Sequence, residues 1–522
     1  MNTSQPSQKN KRIIRTHQRA IEELSIEALQ AITETNRPPL IFIKGGNPAR
    51  VRNDEKNRIL VELIDEKIMT NILERSASFS RLKNNLEIPC NVPLQVVRDL
   101  LALPDWKGIP PLIDVTETPI LRSDGTVITT PGYDAVTGLF YSPPQDFILP
   151  PVPENPTTED INNAITLIKE MLAEFPFDTD ADFCNAVALV LTPLVRPVIE
   201  GPIPLAVITA PQVGTGKSLL GEIVSLMATG HSPELMQYTT QEDEIRKKIT
   251  AALLQSAQII MFDNIAVPLM SSTLASALTS IEWGDRILGR SENVRFLQRA
   301  TWIANGNNLR IGEELIRRSY TITLNARISK PYTRKDFFHP NLPRWVLEKR
   351  GQLMAAGFIL IRAWFSSGKP RFYGASFGNF TEWAEIIGGI LENASIAGFL
   401  GNLNTMHEEL LTDQNQWGIF LSQLYVNFAD KEFSTAELCA YLQEDPSRQD
   451  IFPEKIALII ENDKMITAAQ KIKIGLEFRK IVEKRFGEEP FYVLARPDKG
   501  KKVIVWRVCR GGMGAYGGNT PD

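Results

Sequence analysis

Cysteine and histidine are scarce in this 522-residue chain, with four of each. Cys90, Cys184, Cys439 and Cys509 stand far apart and none forms a Cys-x-x-Cys pair. Neither a structural zinc site nor a disulfide framework is therefore expected, and a reducing, cytoplasmic setting fits. His17, His231, His339 and His407 are equally scattered, which gives no basis for histidine-centred metal or triad chemistry. No run of eighteen apolar residues occurs, so no membrane span is expected. The first residues, MNTSQPSQKNKR, are polar and basic and lack the apolar core of a signal peptide. Charge of one sign is lacking too: 57 Lys and Arg stand against 61 Asp and Glu, for a net charge of −4. That balance argues against a surface coated in basic charge and leaves room for a local basic channel. The chain does have the length of about three or four domains. Its 43% of hydrophobic residues is enough for ordinary globular cores.

Residues 1–15 read as a flexible arm and 16–150 as an N-terminal α+β domain. Within that domain 16–35 has a helical pattern, LIFIKGG is a strand with a turn, and 57–80 has helical periodicity. In 111–142, short β-favouring runs alternate with Asp124-Gly125, Pro131-Gly132 and Thr137-Gly138, the signature of β-hairpins. The Pro-rich stretch 143–156 reads as a linker that separates this domain from everything carrying chemistry. From 157 to 330 the pattern is two helices, 158–174 and 179–195, followed by strands and helices in alternation. Strands at 204–209, 235–238, 258–262, 300–304 and 319–324, with helices at 217–228, 242–256 and 269–280, predict a parallel five-strand α/β core. Residues 331–411 read as helical. In 412–508, helices at 416–429, 434–444, 453–462 and 470–486 precede two strands around Pro497-Asp498-Lys499-Gly500, a winged-helix pattern. The Gly-rich tail 509–522 is expected to be disordered.

The chemistry gathers around APQVGTGKS, which follows the first core strand and opens a helix. A phosphate loop needs Gly-x-x-x-x-Gly-Lys-Ser/Thr in that context. Here the frame is Pro211, Gln212, Val213, Gly214, Thr215, Gly216, Lys217, Ser218, with proline in the place of the first glycine. Gly214 and Gly216 let backbone N–H groups turn inward, and the helix start directs its positive end at the same point. An ATP cradle over Gln212 to Leu219 follows, with Lys217 on the β- and γ-phosphates and Ser218 on Mg²⁺. The plainer reading, a Gly-rich turn that merely precedes a helix, does not account for strand, loop and helix in this order. IIMFDN supplies an acid at the end of a second buried strand, and Asp263 can hold the magnesium water shell. Asn264 follows it, where many such ATPases carry a glutamate base. Asn cannot take a proton but can orient a water. Three routes stay open: slow hydrolysis, substitution by Glu242 or Glu244, or sufficiency of Asn264 with Asp263. Another strand ends in Asn305-Gly306-Asn307-Asn308, whose amides can reach a γ-phosphate and its attacking water, although taken by itself the segment reads as a Gly-Asn turn. The pair Arg317-Arg318 precedes the last core strand, where an arginine can stabilise transferring phosphate charge or simply face solvent.

This order of motifs resembles the AAA+ ATPase core. Within that group it is similar to the replicative-helicase-like ATPases of phages, plasmids and staphylococcal cassette elements, relatives of superfamily-three and minichromosome-maintenance helicases. The likeness extends to TPILRSDGTVITTPGYDAVTGLFY, WGDRILGRSENV, FFHPNLPRWVLEKRGQLMAA and WAEIIGGILENASIAGFLGN. The resemblance implies strand order 5-1-4-3-2, Asn307 as sensor ahead of Asn305, and Arg318 as finger ahead of Arg317. It also implies a homo-hexameric ring with ATP between subunits. Pro211 and Asn264 are departures that bear on catalytic rate more than on nucleotide binding.

Two segments are candidates for nucleic acid. Arg286, Arg290, Arg295 and Arg299 lie around a Gly-Arg-Ser-Glu-Asn turn, and the resemblance implies a hairpin there that grips single-stranded DNA in the ring pore. A solvated loop, or Arg286 or Arg290 turned to the nucleotide, remains open. In the C-terminal unit Lys471, Lys473, Arg479, Lys480, Lys484 and Arg485 make a basic helix, and Lys499, Lys501 and Lys502 a basic wing, suited to duplex DNA. Glu477, Glu483, Glu488 and Glu489 dilute that charge, so a protein-contacting face is the alternative. The leading expectation is an ATP-driven helicase or translocase on single-stranded or forked DNA in a mobile element's replication. An ATP-switched initiator or loader and a protein-remodelling or defence ATPase are the rivals. A primase is disfavoured, because no acidic catalytic cluster or zinc knuckle precedes residue 150.

Overall fold

The structure, a computed structural model, describes residues 11–511 apart from 55–58, 287–292, 329, 375, 430, 445–451, 461–465, 487–489, 499 and 501–502. The chain forms two compact units, Met1–Asn402 and Leu403–Asp522.

The first unit begins earlier than its polar N-terminus suggests. Arg12–Arg15 is a strand running parallel to Ala77–Lys83, so the expected arm is ordered from residue 12. Ile14 explains this: it is fully buried in a cluster with Leu24, Ala28, Leu73 and Val97 from three helices. The helical periodicity of 57–80 resolves into three elements, strand Ile59–Leu63, helix Glu66–Ser76 and strand Ala77–Lys83. Asp65 starts the helix by accepting from the Ile68 N–H, while Ile59–Leu63 finds its partner in Asn53 and its neighbours. In 111–142, Ile120–Leu121 pairs with Val127–Ile128 and Gly132–Asp134 with Leu139–Tyr141. The 143–156 segment carries no helix or strand, yet it is packed and is not a free spacer. A Cβ on Gly351 would come within 2.1 Å of the Ile148 carbonyl oxygen, so the segment lies directly on helix Leu342–Ser366.

The centre of this unit is a five-strand sheet in which every pairing is parallel. Across it lie Glu234–Met236, Ile259–Ile265, Thr301–Asn307, Leu205–Ala210 and Ser319–Thr323. The strands read as near-continuous apolar runs because both faces are covered by helices. Leu205, Val207, Ile260, Phe262 and Trp302 pack with Ile249, Leu274 and Leu278 in one such layer. Helix Asp180–Val195 has the length and hydropathy of a membrane span when extended to Val198, but 78% of that window is buried inside the protein. Helix Thr158–Leu172 and helix Asp180–Val195 both open with a capping box, at Thr157–Asp160 and Thr179–Asp182. Because all five strands run the same way, their C-terminal ends share one edge, where open α/β sheets bind ligands.

The second unit packs helices Leu403–Phe428, Thr435–Glu444, Glu454–Ile460 and Ala468–Lys480 with an antiparallel sheet of Phe433–Ser434, Val503–Arg510 and Phe491–Asp498. Trp417, Phe420, Phe433, Phe478 and Trp506 form its core. Three boundaries differ from expectation. The first helix starts at Leu403, well before 416. The basic helix stops at Lys480, short of 486, because Val482 and Phe486 bridge to Val493 and Phe491. The last strand continues through Cys509 and Arg510 into the expected tail, of which 512–522 lie outside the described residues.

Candidate nucleotide site

The strand Leu205–Ala210 is held between two parallel neighbours, and its end delivers the loop Pro211–Gly216 to the binding edge of the sheet. Two left-handed positions bend that loop, Gly214 at φ +81° and Gly216 at φ +96°. Glycine adopts this conformation without the steric cost other residues meet. Space is short as well: a Cβ on Gly214 would stand 2.7 Å from Tyr332 Cβ, and one on Gly216 would stand 3.2 Å from the Phe175 ring. Pro211 takes the motif's first glycine position, where its fixed negative φ is compatible with a bend made at 214 and 216. Helix Lys217–Thr229 starts directly after Gly216, so its unpaired N–H groups face the loop.

Lys217 is buried and donates from Nζ to Asn307 Oδ1 at 2.6 Å and to the Gln212 carbonyl at 3.3 Å. Burial lowers its pKa below the ordinary lysine value, against an opposing pull from the Asp263 carboxylate. Ser218 donates its hydroxyl to Asp263 Oδ1 at 2.8 Å. The same carboxylate oxygen accepts from Asn305 Nδ2 at 2.7 Å, and Asn305 Oδ1 accepts from the Asn264 N–H at 2.9 Å. Asn305 is 1% exposed, so it works from behind the site. Strand Ile259–Ile265 shifts register between Phe262 and Ile265, and Asn264 takes φ +51° in that bulge. Asparagine tolerates the left-handed region better than most residues. Gly306 lets the bulge close, since a Cβ there would lie 2.5 Å from the Ile265 carbonyl oxygen.

Direct hydrogen bonds thus join residues that the sequence spreads over ninety positions, Lys217 to Asn307 and both Ser218 and Asn305 to Asp263. A serine hydroxyl touching a carboxylate is the oxygen donor set that suits Mg²⁺. The left-handed glycines, the buried lysine and the open helix start suit a triphosphate. Both alternative bases have partners elsewhere. Glu242 accepts from Ser271 Oγ and the Thr273 N–H at the start of helix Ser272–Thr279, and Glu244 pairs with Lys247 at 2.7 Å.

Arg317 and Arg318 are not brought to this cluster. They follow the short helix Glu313–Ile316 and precede Ser319–Thr323, at the N-terminal edge of the sheet, opposite the phosphate loop. Arg317 is exposed, 3.7 Å from Glu313, while Arg318 donates to the Glu314 carbonyl.

The basic segment at 285–299 is a two-stranded antiparallel hairpin, Glu282–Arg286 with Asn293–Leu297. Arg295 projects from it, 77% exposed. Arg290 and the turn lie outside the described residues, and of Arg286 only its place at the end of the first strand is described. Arg299 corrects the expectation of four phosphate-tracking arginines. It is largely buried and donates to the Arg196 and Ile199 carbonyls, and burial lowers its pKa. In the second unit Lys473, Arg479 and Lys480 are exposed on helix Ala468–Lys480, interleaved with exposed Ile472 and Leu476. Lys499, Lys501, Lys502, Glu488 and Glu489 lie outside the described residues.

Sequence reasoning missed Arg350. Its buried guanidinium donates to the Met227 and Ala228 carbonyls at the far end of helix Lys217–Thr229 and to the Glu117 carbonyl. It also lies 4.3 Å from the centre of the Phe147 ring. Its helix also carries Arg344 and Arg362, and Arg350 follows Glu348-Lys349, so the sequence held no signal that set it apart.

The chain therefore carries a parallel five-strand α/β sheet with a glycine-bent loop and an acid–amide cluster at its binding edge. Among solved structures it is similar to the apo A form of the NrS-1 C-terminal region, at 14% identity over 92% of this chain and 99% of that one, with a TM-score of 0.36. It is also similar to the SCCmec type IV Cch active helicase, at 12% identity over 75% and 83% with a TM-score of 0.29. JCV helicase matches at 12% identity over 48% and 73% with a TM-score of 0.23. No protein-family model matches the chain, and no curated protein does.

Proposed function

We propose that this protein is an AAA+ ATPase that moves on single-stranded DNA and opens duplex in the replication of a mobile element, working as a hexameric ring. The observation that carries the reading is the Ser218–Asp263 hydrogen bond beside the Lys217–Asn307 hydrogen bond, under a helix start. Lys217 binds the β- and γ-phosphates, Gln212 to Leu219 wrap the chain of phosphates, and Ser218 with Asp263 hold Mg²⁺. Magnesium, when bound, supplies charge neutralisation for phosphoryl transfer. Asn307 senses the terminal phosphate, and Asn305 positions Asp263. The place of Arg317 and Arg318 on the far edge of the sheet supports their action in a neighbouring subunit's site. The hairpin bearing Arg295 is the proposed contact with single-stranded DNA. The second unit, read as a winged helix, is the proposed contact with duplex DNA or a replication partner.

Strand displacement on a forked duplex with ATP tests this, beside Lys217→Ala. Wild type is expected to open the fork and to hydrolyse ATP faster with single-stranded DNA present, and Lys217→Ala to do neither. Hydrolysis with no unwinding and no stimulation by DNA would sink the motor reading in favour of protein remodelling.

A second reading has a specific observation behind it. Asn264 is exposed in the bulge where a base is usual, and Glu242 and Glu244 are engaged elsewhere. An amide can orient water without taking its proton, so slow turnover suits an ATP-switched initiator or loader. DNA binding that follows ATP occupancy, with one slow turnover and no processive unwinding, would select it.

A further inference from the structure

Two aromatic residues close on the phosphate loop. The turn Pro331–Thr333 lies directly on the loop, since a Cβ on Gly214 would come within 2.7 Å of Tyr332 Cβ and 3.0 Å of its backbone nitrogen. Phe175 meets Gly216, where a Cβ would stand 3.2 Å from its ring. The two aromatics differ in one decisive respect. Phe175 is 6% exposed, whereas Tyr332 is 65% exposed although its backbone is wedged against the loop.

Tyr332 stands on a fixed support. Pro331 beside it is buried. Further along the same segment, Glu174 accepts from the Phe338 N–H at 2.7 Å and the His339 N–H at 3.1 Å, and pairs with Arg334 at 3.3 Å. The His339 ring stacks on Trp345 and lies 3.1 Å from Glu170. Residues 331–345 are thereby tied to the end of helix Thr158–Leu172 and the residues after it.

The lateral order of the sheet says what an exposed ring here faces. The strands bearing Asp263 and Asn307 lie to one side of Leu205–Ala210. Ser319–Thr323 lies to the other, and Phe177 bridges to Leu324 at its end. The metal-binding and phosphate-sensing groups occupy the first side. Tyr332 follows Leu324 by eight residues, and a nucleoside that leaves the cradle on this second side would meet its ring.

We infer that Tyr332 is the nucleobase platform of the site: its ring stacks on the base of the nucleotide whose phosphates the loop holds. This rests on the nucleotide reading given above. Every base presents a π-face, so stacking gives affinity with little discrimination among bases.

Equilibrium binding tests it, with ATP and inorganic tripolyphosphate titrated into wild type, Tyr332→Ala and Tyr332→Phe. Tyr332→Ala is expected to weaken ATP about 10-fold or more, the scale of one lost base–aromatic stack. Its affinity for tripolyphosphate is expected to stay at the wild-type value, and Tyr332→Phe to bind ATP like wild type. Unchanged ATP affinity in Tyr332→Ala overturns the inference. So does an equal loss for ATP and tripolyphosphate, which would mean that Tyr332 only shapes the loop. Loss of single-stranded DNA binding with ATP affinity intact would assign the ring to DNA instead. If wild type binds neither ATP nor tripolyphosphate, the nucleotide reading itself falls, and that result is distinct from a failure of Tyr332 alone.

Discussion

A buried amide sets the acid side of the candidate site. Asn305 uses its Nδ2 on Asp263 and its Oδ1 on the Asn264 N–H, so one side chain sets both the carboxylate and the bulge beside it. Asn307, two residues on and therefore on the same face of the strand, stands at the tip and meets Lys217. The family resemblance ranked these asparagines as rivals, but the structure gives them different partners. Lys217 carries a prediction. Burial holds its pKa below the ordinary lysine value in the free protein. Bound phosphates would stabilise the charged form and raise it. Between those two values ATP binding must therefore take up a proton, and affinity must fall as pH rises through that window. Calorimetry at alkaline pH in two buffers of different ionisation enthalpy should register this uptake in wild type. Lys217→Arg, protonated throughout, should show none.

At the scale of elements, helix Lys217–Thr229 depends on both of its ends. Its start at Gly216 and its stop at Gly230, left-handed at φ +84°, are readable from the sequence. The group that satisfies its last carbonyls is not, because Arg350 comes from a helix more than a hundred residues away. A cation at a helix C-terminus complements the helix dipole, and burial brings the Arg350 pKa down to about 10. Arg350→Ala would leave the Met227, Ala228 and Glu117 carbonyls without this donor. Buried carbonyls left short of a donor cost about 1–3 kcal/mol. Chemical denaturation should show a midpoint shift of that order. Arg350→Lys should restore only part of it, because an ammonium lacks the planar fork that reaches three carbonyls.

At the scale of the whole molecule, the parallel sheet separates the phosphate loop from Arg317 and Arg318 by putting them on opposite edges. Under the proposed ring, an arginine so placed would serve a second copy of the chain. If Arg318 acts in trans, mixing Arg318→Ala with Lys217→Ala protomers should yield more ATPase than either preparation alone. Rates in the mixture equal to the average of the two preparations would confine Arg318 to its own subunit. The division of the chain was only partly readable. The Pro-rich 143–156 stretch looks like a boundary, yet it packs on helix Leu342–Ser366 within one compact unit that runs to Asn402. Proline content reports local stiffness, while compactness is decided by what the segment packs against.

The sequence by itself determined the phosphate loop, the five apolar strands and their parallel alternation with helices. Those features rest on local chemistry: glycines that adopt positive φ, a lysine and serine at a helix start, and runs of residues that must be buried on both faces. The tertiary structure decided which of those residues meet. It placed Arg299 among backbone carbonyls and not on a DNA-facing surface, and turned Arg12–Arg15 from an arm into a strand. It gave Asn305 and Asn307 their separate partners and laid Tyr332 on Gly214. Each of these depends on a partner far along the chain, and a long-range contact leaves no periodic or compositional trace at either of its ends.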